Sequence, residues 1–381
     1  MYDPGWSVFM SPAIIYLSVI NDLHGDQRIH RIASSLREAG HEVHVVGRIL
    51  PSSQALSDRQ YHTHRLTCWF HKGKWFYLEY NIRLFFFLLR QKVSLLNAND
   101  LDTLLANYLV SRLKSIPLVY DSHEYFTEVP ELIERRGTRA IWLRLEKWLL
   151  PKADLMYTVN HSISRIYVEK YDREVGVIRN LPTKKELPEI KKYESPTLIY
   201  QGALNVGRGL ELMVATMEFL EEFQLVIIGK GDIGEQLAEE VEGLAWKERI
   251  FLKGFVPFEK LAEITPQAHI GLSIEEDRGG NYHYASPNKV YDYLQAGIPV
   301  IVSDLPEMRK LVLEYDCGLV LRNDERTPKK LAEVIRSFWE NQKMYWEKTQ
   351  NALTAAETLI WENEQKQLLA YYQSALAASS S

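Results

Sequence analysis

The feature that most constrains this chain is a pattern that occurs twice: short β-branched runs alternating with amphipathic helical stretches. In the first half the strand candidates are Ala13–Ile20, Glu42–Val46, Ser94–Asn97, Pro117–Tyr120, Leu155–Val159 and Val175–Arg179. Helical patterns such as Arg28–Ala39, Leu101–Leu113, Ala140–Leu150 and Ser162–Lys170 separate them. Strands interleaved with helices at this spacing predict βαβ units and a parallel sheet. Thr183–Ser195 (TKKELPEIKKYES) is charged, carries Pro188 and has no apolar period, so it reads as a linker. Beyond it the pattern restarts, with strands at Leu198–Gln201, Gln224–Ile228, Ile250–Leu252, Ile270–Ile274, Pro299–Val302 and Gly318–Leu321. No short sequence repeat links the halves, so they share architecture only.

The expectation is an α/β chain of two Rossmann-like doubly wound domains facing a cleft, where the ends of such strands bind ligands. The expected divisions are 1–182, a linker at 183–195, a second domain at 196–356, and a C-terminal helical segment at 357–381 that crosses back onto the first domain. The length of 381 residues fits two cores, and 46% hydrophobic with 25% charged residues is an ordinary globular balance. A formal charge of -5 gives no basic field for nucleic acid, so any anion site must be local. Two cysteines, Cys68 and Cys317, exclude a disulfide framework or a structural zinc cluster and fit a reducing cytosol. Met1–Pro12 lacks the basic start and apolar run of a secretory signal, and the apolar run Leu84–Leu89 is far short of the roughly 20 residues a spanning helix needs.

Three strand-to-helix turns of the second half carry the candidate chemistry. In Ala285–Asp304 (ASPNKVYDYLQAGIPVIVSD), Ser286 is a favoured N-cap and Pro287 a favoured first helical residue. The first turn of that helix is an anion site to which Lys289 adds a full charge. Asn288 and Asp292 lie four apart on one face. A cation at the helix start and a carboxylate one turn later suit phosphates and ribose hydroxyls respectively; a solvated Lys289–Asp292 pair is the plainer alternative. Tyr200–Leu210 (YQGALNVGRGL) places Gly207 and Arg208 between a strand and a helix, where backbone and guanidinium can approach a diphosphate. Gly229, Lys230, Gly231 and Asp232 (GKGD) form the third turn. Each is a generic turn alone; together they would line one edge of the sheet.

These segments resemble the family 4 glycosyltransferases (glycosyl transferases group 1) of the GT-B fold, over most of the chain. YQGALNVGRGLELM, LVIIGKGD, IFLKGFVPFEKL and SPNKVYDYLQAGIPVIVSD follow the family's order and spacing, and VYDSHEYFTEVPEL and VIRNLP look like one of its subgroups. The resemblance implies metal-independent transfer, usually with retention, from a nucleotide-diphosphate sugar (UDP-, GDP- or ADP-linked) to a glycan or lipid-linked acceptor, with no organic cofactor. It places Asp292 on the ribose, Arg208 on the diphosphate, and Gly229, Lys230 and Gly231 with Gly254, Phe255 and Val256 around the base. It also sets His123, after the Leu118–Asp121 strand, towards the donor sugar. One family arginine falls on Ala203, which Lys289 would replace. One family glutamate falls on Tyr284, for which Glu275 or Glu276 would substitute. The glycine pair of the first N-terminal loop is absent from Asn21–Arg28 (NDLHGDQR), leaving Asp26 and Arg28 as acceptor-side candidates.

Glycosyl transfer builds negative charge on the departing diphosphate, so Arg208, Lys289 and the helix start are expected to contribute most to catalysis. In retaining members the leaving phosphate itself takes the acceptor proton. Two competing classes stay open: a non-catalytic nucleotide-sugar-binding protein, favoured by Ala203 and Tyr284, and a nucleotide-sugar epimerase on the same fold. Elsewhere, Asp100-Leu101-Asp102 looks like a metal-binding DxD, but Asp102 reads as the cap of the following helix. His62 and His64 share a strand face with no carboxylate partner apparent nearby, which argues against a metal. In Trp69–Lys92, Leu78, Ile82, Phe85 and Leu89 follow helical spacing; the segment is either buried in the first core or a face that touches membrane or a lipid-linked acceptor. The expected location is cytoplasmic, at the inner face of a membrane in the latter case.

Overall fold

A computed structural model describes residues 12–378 apart from 52, 57 and 185–189. The stretch read for a leader, 1–11, and most of the linker around Pro188 lie outside the described residues. Two compact units emerge. The first comprises the described residues up to Thr127, together with Arg135–Arg179 and the chain from Glu364 onward; the second comprises Glu128–Glu134 and Asn180–Asn363.

The first unit holds a seven-stranded parallel sheet in the order β3-β2-β1-β4-β5-β6-β7. Its strands are β1 (Ile14–Ser18), β2 (Glu42–Ile49), β3 (His62–Thr67), β4 (Leu95–Asn99), β5 (Leu118–Ser122), β6 (Leu155–Thr158) and β7 (Gly176–Val177). Every residue of β4 and β5 is buried, as strands covered by helices on both faces must be. Polar side chains start the flanking helices. Asp26 accepts from the backbone N–H of Ile29 at 3.0 Å to open the helix Gln27–Glu38, and Asn160 accepts from that of Ile163 at 2.9 Å to open His161–Tyr171. The terminal helix Trp361–Ala378 contributes Glu364, which binds Arg179 at 2.6 Å, and Tyr372, whose hydroxyl meets that of Tyr157.

The second unit holds a six-stranded parallel sheet in the order β10-β9-β8-β11-β12-β13. These strands are β8 (Thr197–Gln201), β9 (Gln224–Ile228), β10 (Ile250–Leu252), β11 (Ile270–Ser273), β12 (Val300–Ser303) and β13 (Gly318–Leu321). The period of two in each strand sorts its side chains into two cores. Leu198, Tyr200, Leu225, Ile227 and Leu272 pack with Phe338 and Met213 on one face. Ile199, Val226, Ile228, Val300 and Val302 pack with Leu294 and Val312 on the other.

In both sheets the chain reverses direction once: between β1 and β4 in the first, and between β8 and β11 in the second. At such a point the loops leaving two adjacent strands part to opposite faces, which opens a crevice at their C-terminal ends.

The helix Gly73–Leu89 buries one face and leaves the other exposed. Phe76, Tyr80, Leu84 and Leu88 are buried, whereas Leu78, Ile82 and Phe86 are exposed. The apolar run at the helix end hid the true register of four-residue steps. No helix among the described residues is long and apolar enough to cross a membrane.

Candidate functional site

In the second unit the switch-point crevice is built from the turn after β8 and the end of β11. Gly209 sits at φ 75°, and a β-carbon there would lie 2.3 Å from the carbonyl oxygen of Ile274. Only glycine lets the Arg208 turn press so closely on the β11 exit. Two residues after β11 comes Glu275, 1% exposed, which accepts a 2.6 Å hydrogen bond from Lys289 Nζ, itself 8% exposed. Arg208 Nη1 lies 3.8 Å from the same Glu275 oxygen. The hydroxyl of Ser273 donates to the other oxygen at 2.8 Å. Burial opposes ionisation of Glu275, yet Lys289 and Arg208 outweigh it and hold its carboxyl below the usual value. Two cations therefore converge on one carboxylate, leaving a net positive charge inside the crevice.

The arginine is not saturated. Its buried Nε has no hydrogen-bond partner among the described residues, and its guanidinium sits 4.6 Å from the ring centroid of Tyr282. A buried guanidinium N–H without a partner costs free energy unless an acceptor arrives, so the geometry suits an anionic ligand. Lys289 Nζ lies 4.3 Å from the ring centroid of Tyr200. A β-carbon at Gly202 would come 3.2 Å from Lys289 Cε, so this lysine reaches the turn in which Ala203 stands.

The helix carrying Lys289 spans Asn288–Gln295 and begins one residue later than expected. Pro287, with ψ 125°, takes the N-cap position, so Ser286 is outside the helix and does not cap it. Asn288 is exposed at the first helical residue. One turn on, Asp292 accepts from Gln201 Nε2 at 3.1 Å, and Thr265 Oγ1 donates to Gln201 Oε1 at 2.7 Å. That second bond fixes which end of the amide faces Asp292. Sequence reading missed Gln201, because a strand-terminal glutamine carries no signal until the helix is placed beside it.

The turns at Gly202, Gly229 and Gly254 leave the neighbouring strands β8, β9 and β10 on one edge. Gly202 N donates to Ile228 O at 2.9 Å, Leu204 N to Lys230 O at 3.0 Å, and Gly229 N to Gly254 O at 2.8 Å. Gly231, Phe255 and Val256 belong to the same rim; Phe255 is exposed, with Lys230 Nζ 5.9 Å from its ring centroid. Gly207 accepts from Glu276 N at 2.8 Å, which ties the Arg208 turn to the residue after Glu275. Glu276 itself is engaged with Arg278 and does not reach the two cations.

The first unit presents a different cluster at the ends of β4 and β5. His123 Nε2 lies 3.2 Å from Asp121 Oδ2, and its Nδ1 lies 3.4 Å from Asp100 Oδ2. Its backbone N–H donates to Asp100 Oδ1 at 2.9 Å. Asp100 adopts φ 61°, a conformation costly for a non-glycine residue, and this aims its carboxylate back at His123. Burial disfavours the charged imidazole, but Asp100 and Asp121 prevail and raise its pKa to about 9. His123 thus carries a proton at neutral pH.

Three expectations are corrected here. Arg28 is 4% exposed and forks onto Asp121 at 2.7 and 3.0 Å while donating to Ile178 O, so it is not free to contact an acceptor. The Asp26 side chain caps its helix rather than projecting outward. Asp102 is not the cap of Leu101–Lys114: Asp100 holds that position, and Asp102 lies buried within the first turn.

Comparisons with known proteins agree with this architecture. The model described as Glycosyltransferase Family 4 matches residues 26–181, and that described as Glycosyl transferases group 1 matches residues 195–341. The chain is 21% identical to chitobiosyldiphosphodolichol beta-mannosyltransferase of Candida albicans, over 57% of this chain and 53% of that protein. It therefore spans about half the length of that relative. Sucrose-phosphate synthase from Thermosynechococcus elongatus superposes with a TM-score of 0.77 at 16% identity, covering 96% of this chain and all of that one. Anabaena HepE in complex with UDP and glucose gives 0.72 at 15% identity, covering 95% of this chain and 100% of that one. The two matched models together cover most of the chain, and both sheets have the doubly wound order: the chain belongs to the GT-B glycosyltransferases of family 4, group 1.

Proposed function

We propose that this glycosyltransferase takes its sugar from a nucleotide-diphosphate sugar bound to the second unit and delivers it to a lipid-linked or glycan acceptor, without a metal and with retention. The carrying observation is the Arg208–Lys289 pair, converged on buried Glu275 at a switch point with an unpartnered Arg208 N–H. A diphosphate supplies the missing acceptor. As charge develops on the departing phosphate, both cations stabilise it, and preorganised charge of this kind lowers a transfer barrier more than any other effect such a site can exert. Lys289 stands in for the arginine absent at Ala203. Asp292, oriented by Gln201, accepts from ribose hydroxyls, and Asn288 lines the same helix start. The backbone rim of Gly229–Gly231 and Gly254–Val256 borders the base.

His123 is our candidate for the contact to the donor sugar. Protonated at neutral pH and held between Asp100 and Asp121, it presents a positively charged ring to that sugar and is a poor base. That supports a proton path in which the leaving phosphate, not the enzyme, deprotonates the acceptor. The relative in Candida albicans is named for a dolichol-linked substrate. An acceptor of that chemistry fits the exposed aromatic surface formed by Trp69, Phe70, Trp75 and Phe86, interleaved with Lys72, Lys74 and Arg90. Trp69 alone is 81% exposed. We assign this surface to peripheral contact with the inner face of a membrane.

The test is thermal unfolding with UDP, GDP and ADP. One of them at about 100 times its dissociation constant should stabilise the wild type by about 2.7 kcal/mol. Arg208→Ala should lose most of that shift and reduce transfer about 10²- to 10³-fold while its ligand-free Tm stays near the wild-type value. A nucleotide shift unchanged in Arg208→Ala would overturn the assignment. Donor binding with no nucleotide released in the presence or absence of acceptor would favour a binder instead.

A further inference from the structure

At the other end of the first sheet, away from the strand ends that carry Asp100, Asp121 and His123, strands β2 and β3 begin with a set of side chains that the transfer reaction does not use. The parallel register sets His44 opposite His62, and Val46 opposite His64. With the period of two, Glu42, His44, His62 and His64 all fall on one face. Glu42 is the carboxylate partner not evident from the sequence: it sits twenty residues before His62, and only the strand pairing brings it close.

The His44 ring is held from every side. Tyr16 of β1 stacks on it at 4.4 Å with 5° between planes, and His62 stacks at 4.7 Å. Its Nε2 lies 2.9 Å from Glu42 Oε1, and its Nδ1 lies 3.0 Å from His64 Nε2. Phe87 closes the apolar side, 5.0 Å from the His64 ring. Glu42, His44 and His62 each offer one donor atom, all within 4.8 Å of one another. Among the described residues this is the one group of three or more histidine, cysteine or acidic side chains that meets that distance.

We propose that Glu42, His44 and His62 form a binding site for a divalent first-row transition ion such as Zn²⁺. Two imidazoles and a carboxylate select such an ion over Mg²⁺ or Ca²⁺, and water completes a four-coordinate shell. With bonds of about 2.0–2.1 Å, donors around a tetrahedral ion lie about 3.3 Å apart. Glu42 and His44 already meet that spacing, and exposed His62 needs only a small rotation. Coordination through His44 Nε2 leaves its Nδ1 as the N–H, which is the tautomer that His64 Nε2 accepts from; His64 is then the outer partner that orients the ligand. The site lies at the N-terminal ends of the strands, whereas ligands for chemistry in such sheets bind at the C-terminal ends. The ion therefore clamps the edge strand β3 onto β2 and takes no part in transfer.

The experiment uses the full chain stripped with a chelator and desalted, titrated with Zn²⁺ by calorimetry and with Co²⁺ by visible absorption. One equivalent should bind, with the d–d bands of low-symmetry tetrahedral Co²⁺, and Zn²⁺ should raise Tm. His62→Ala and Glu42→Gln, both at exposed positions, should lose that equivalent and the Tm increment with no change in the ion-free Tm. His64→Phe should weaken binding about 10- to 100-fold. His71→Ala, outside the cluster, should bind as the wild type does. Absence of binding to the wild type, or an equivalent retained in both His62→Ala and Glu42→Gln, overturns the proposal. None of these readouts depends on the nucleotide, so failure here leaves the donor-site reading standing, and the reverse.

Discussion

The two sheets reverse direction at equivalent points, β1/β4 and β8/β11, yet they fill those points with opposite electrostatics. At the first, Asp100 and Asp121 face Arg28 and a protonated His123, and positive and negative charges cancel. At the second, Arg208 and Lys289 share the single carboxylate of Glu275, and a positive charge is left over. Topology makes a crevice in both; side-chain charge decides what each can hold. On the proposed function, the diphosphate goes with the surplus cation and the balanced cluster faces the uncharged sugar.

Glu275→Gln tests that contrast with the largest effect. Removing the carboxylate leaves Lys289 buried beside a neutral amide, which should cost the ligand-free protein about 3–5 kcal/mol in denaturant unfolding. The same variant should be stabilised by nucleoside diphosphate more than the wild type is, because phosphate then supplies the only counter-charge. A smaller nucleotide shift in Glu275→Gln would show that the carboxylate helps to build the site and does not compete with the ligand.

The balanced cluster makes a pH prediction. The folded pKa of His123, about 9, lies above the unfolded value of about 6.5, so its contribution is complete below pH 6.5 and fades as pH rises through 9. Stability should fall by about 2–3 kcal/mol across that window, measured as the urea midpoint. His123→Gln should flatten the profile. An unchanged profile would remove the proton from His123 and reopen its use as a base.

The smallest effect concerns the sugar of the nucleotide. Asp292→Asn keeps a polar group next to Gln201 and loses the charge, so nucleotide affinity should weaken about tenfold, equivalent to about 1.4 kcal/mol. The loss should vanish for a 2′,3′-dideoxynucleoside diphosphate in the same thermal assay. A tenfold loss for both ligands would assign Asp292 to helix stability instead of ribose recognition.

How much of this was legible in the sequence differs by element. The alternation of strands and helices was plain, because strands covered on both faces read as short, mostly apolar runs set between helical stretches. Arg208 and Lys289 could be named from their turns, but the carboxylate they share could not be chosen between Glu275 and Glu276. That choice depends on the strand exit: Gly207 ties down the backbone of Glu276, and its side chain turns away to Arg278. The buried face of the helix Gly73–Leu89 could not be picked out, since a run such as LFFFLL satisfies every helical register at once. The cap position fell to Asp100 and not Asp102, because a positive φ at a non-glycine residue leaves no mark in sequence. The Glu42–His44–His62 group needed the register of β2 against β3, a relation between residues twenty apart that no local pattern carries.

The rim of the second crevice has one further consequence. Its three turns are joined through main-chain atoms, and a β-carbon at Gly229 would fall 1.8 Å from the carbonyl oxygen of Gly202. A side chain introduced at one turn therefore displaces the next, and the displacement passes along the row. On the proposed function, in which this rim borders the base, preference for one base over another becomes a collective property of the loop set, and switching it by engineering calls for exchanging the turns as a block instead of replacing them one by one.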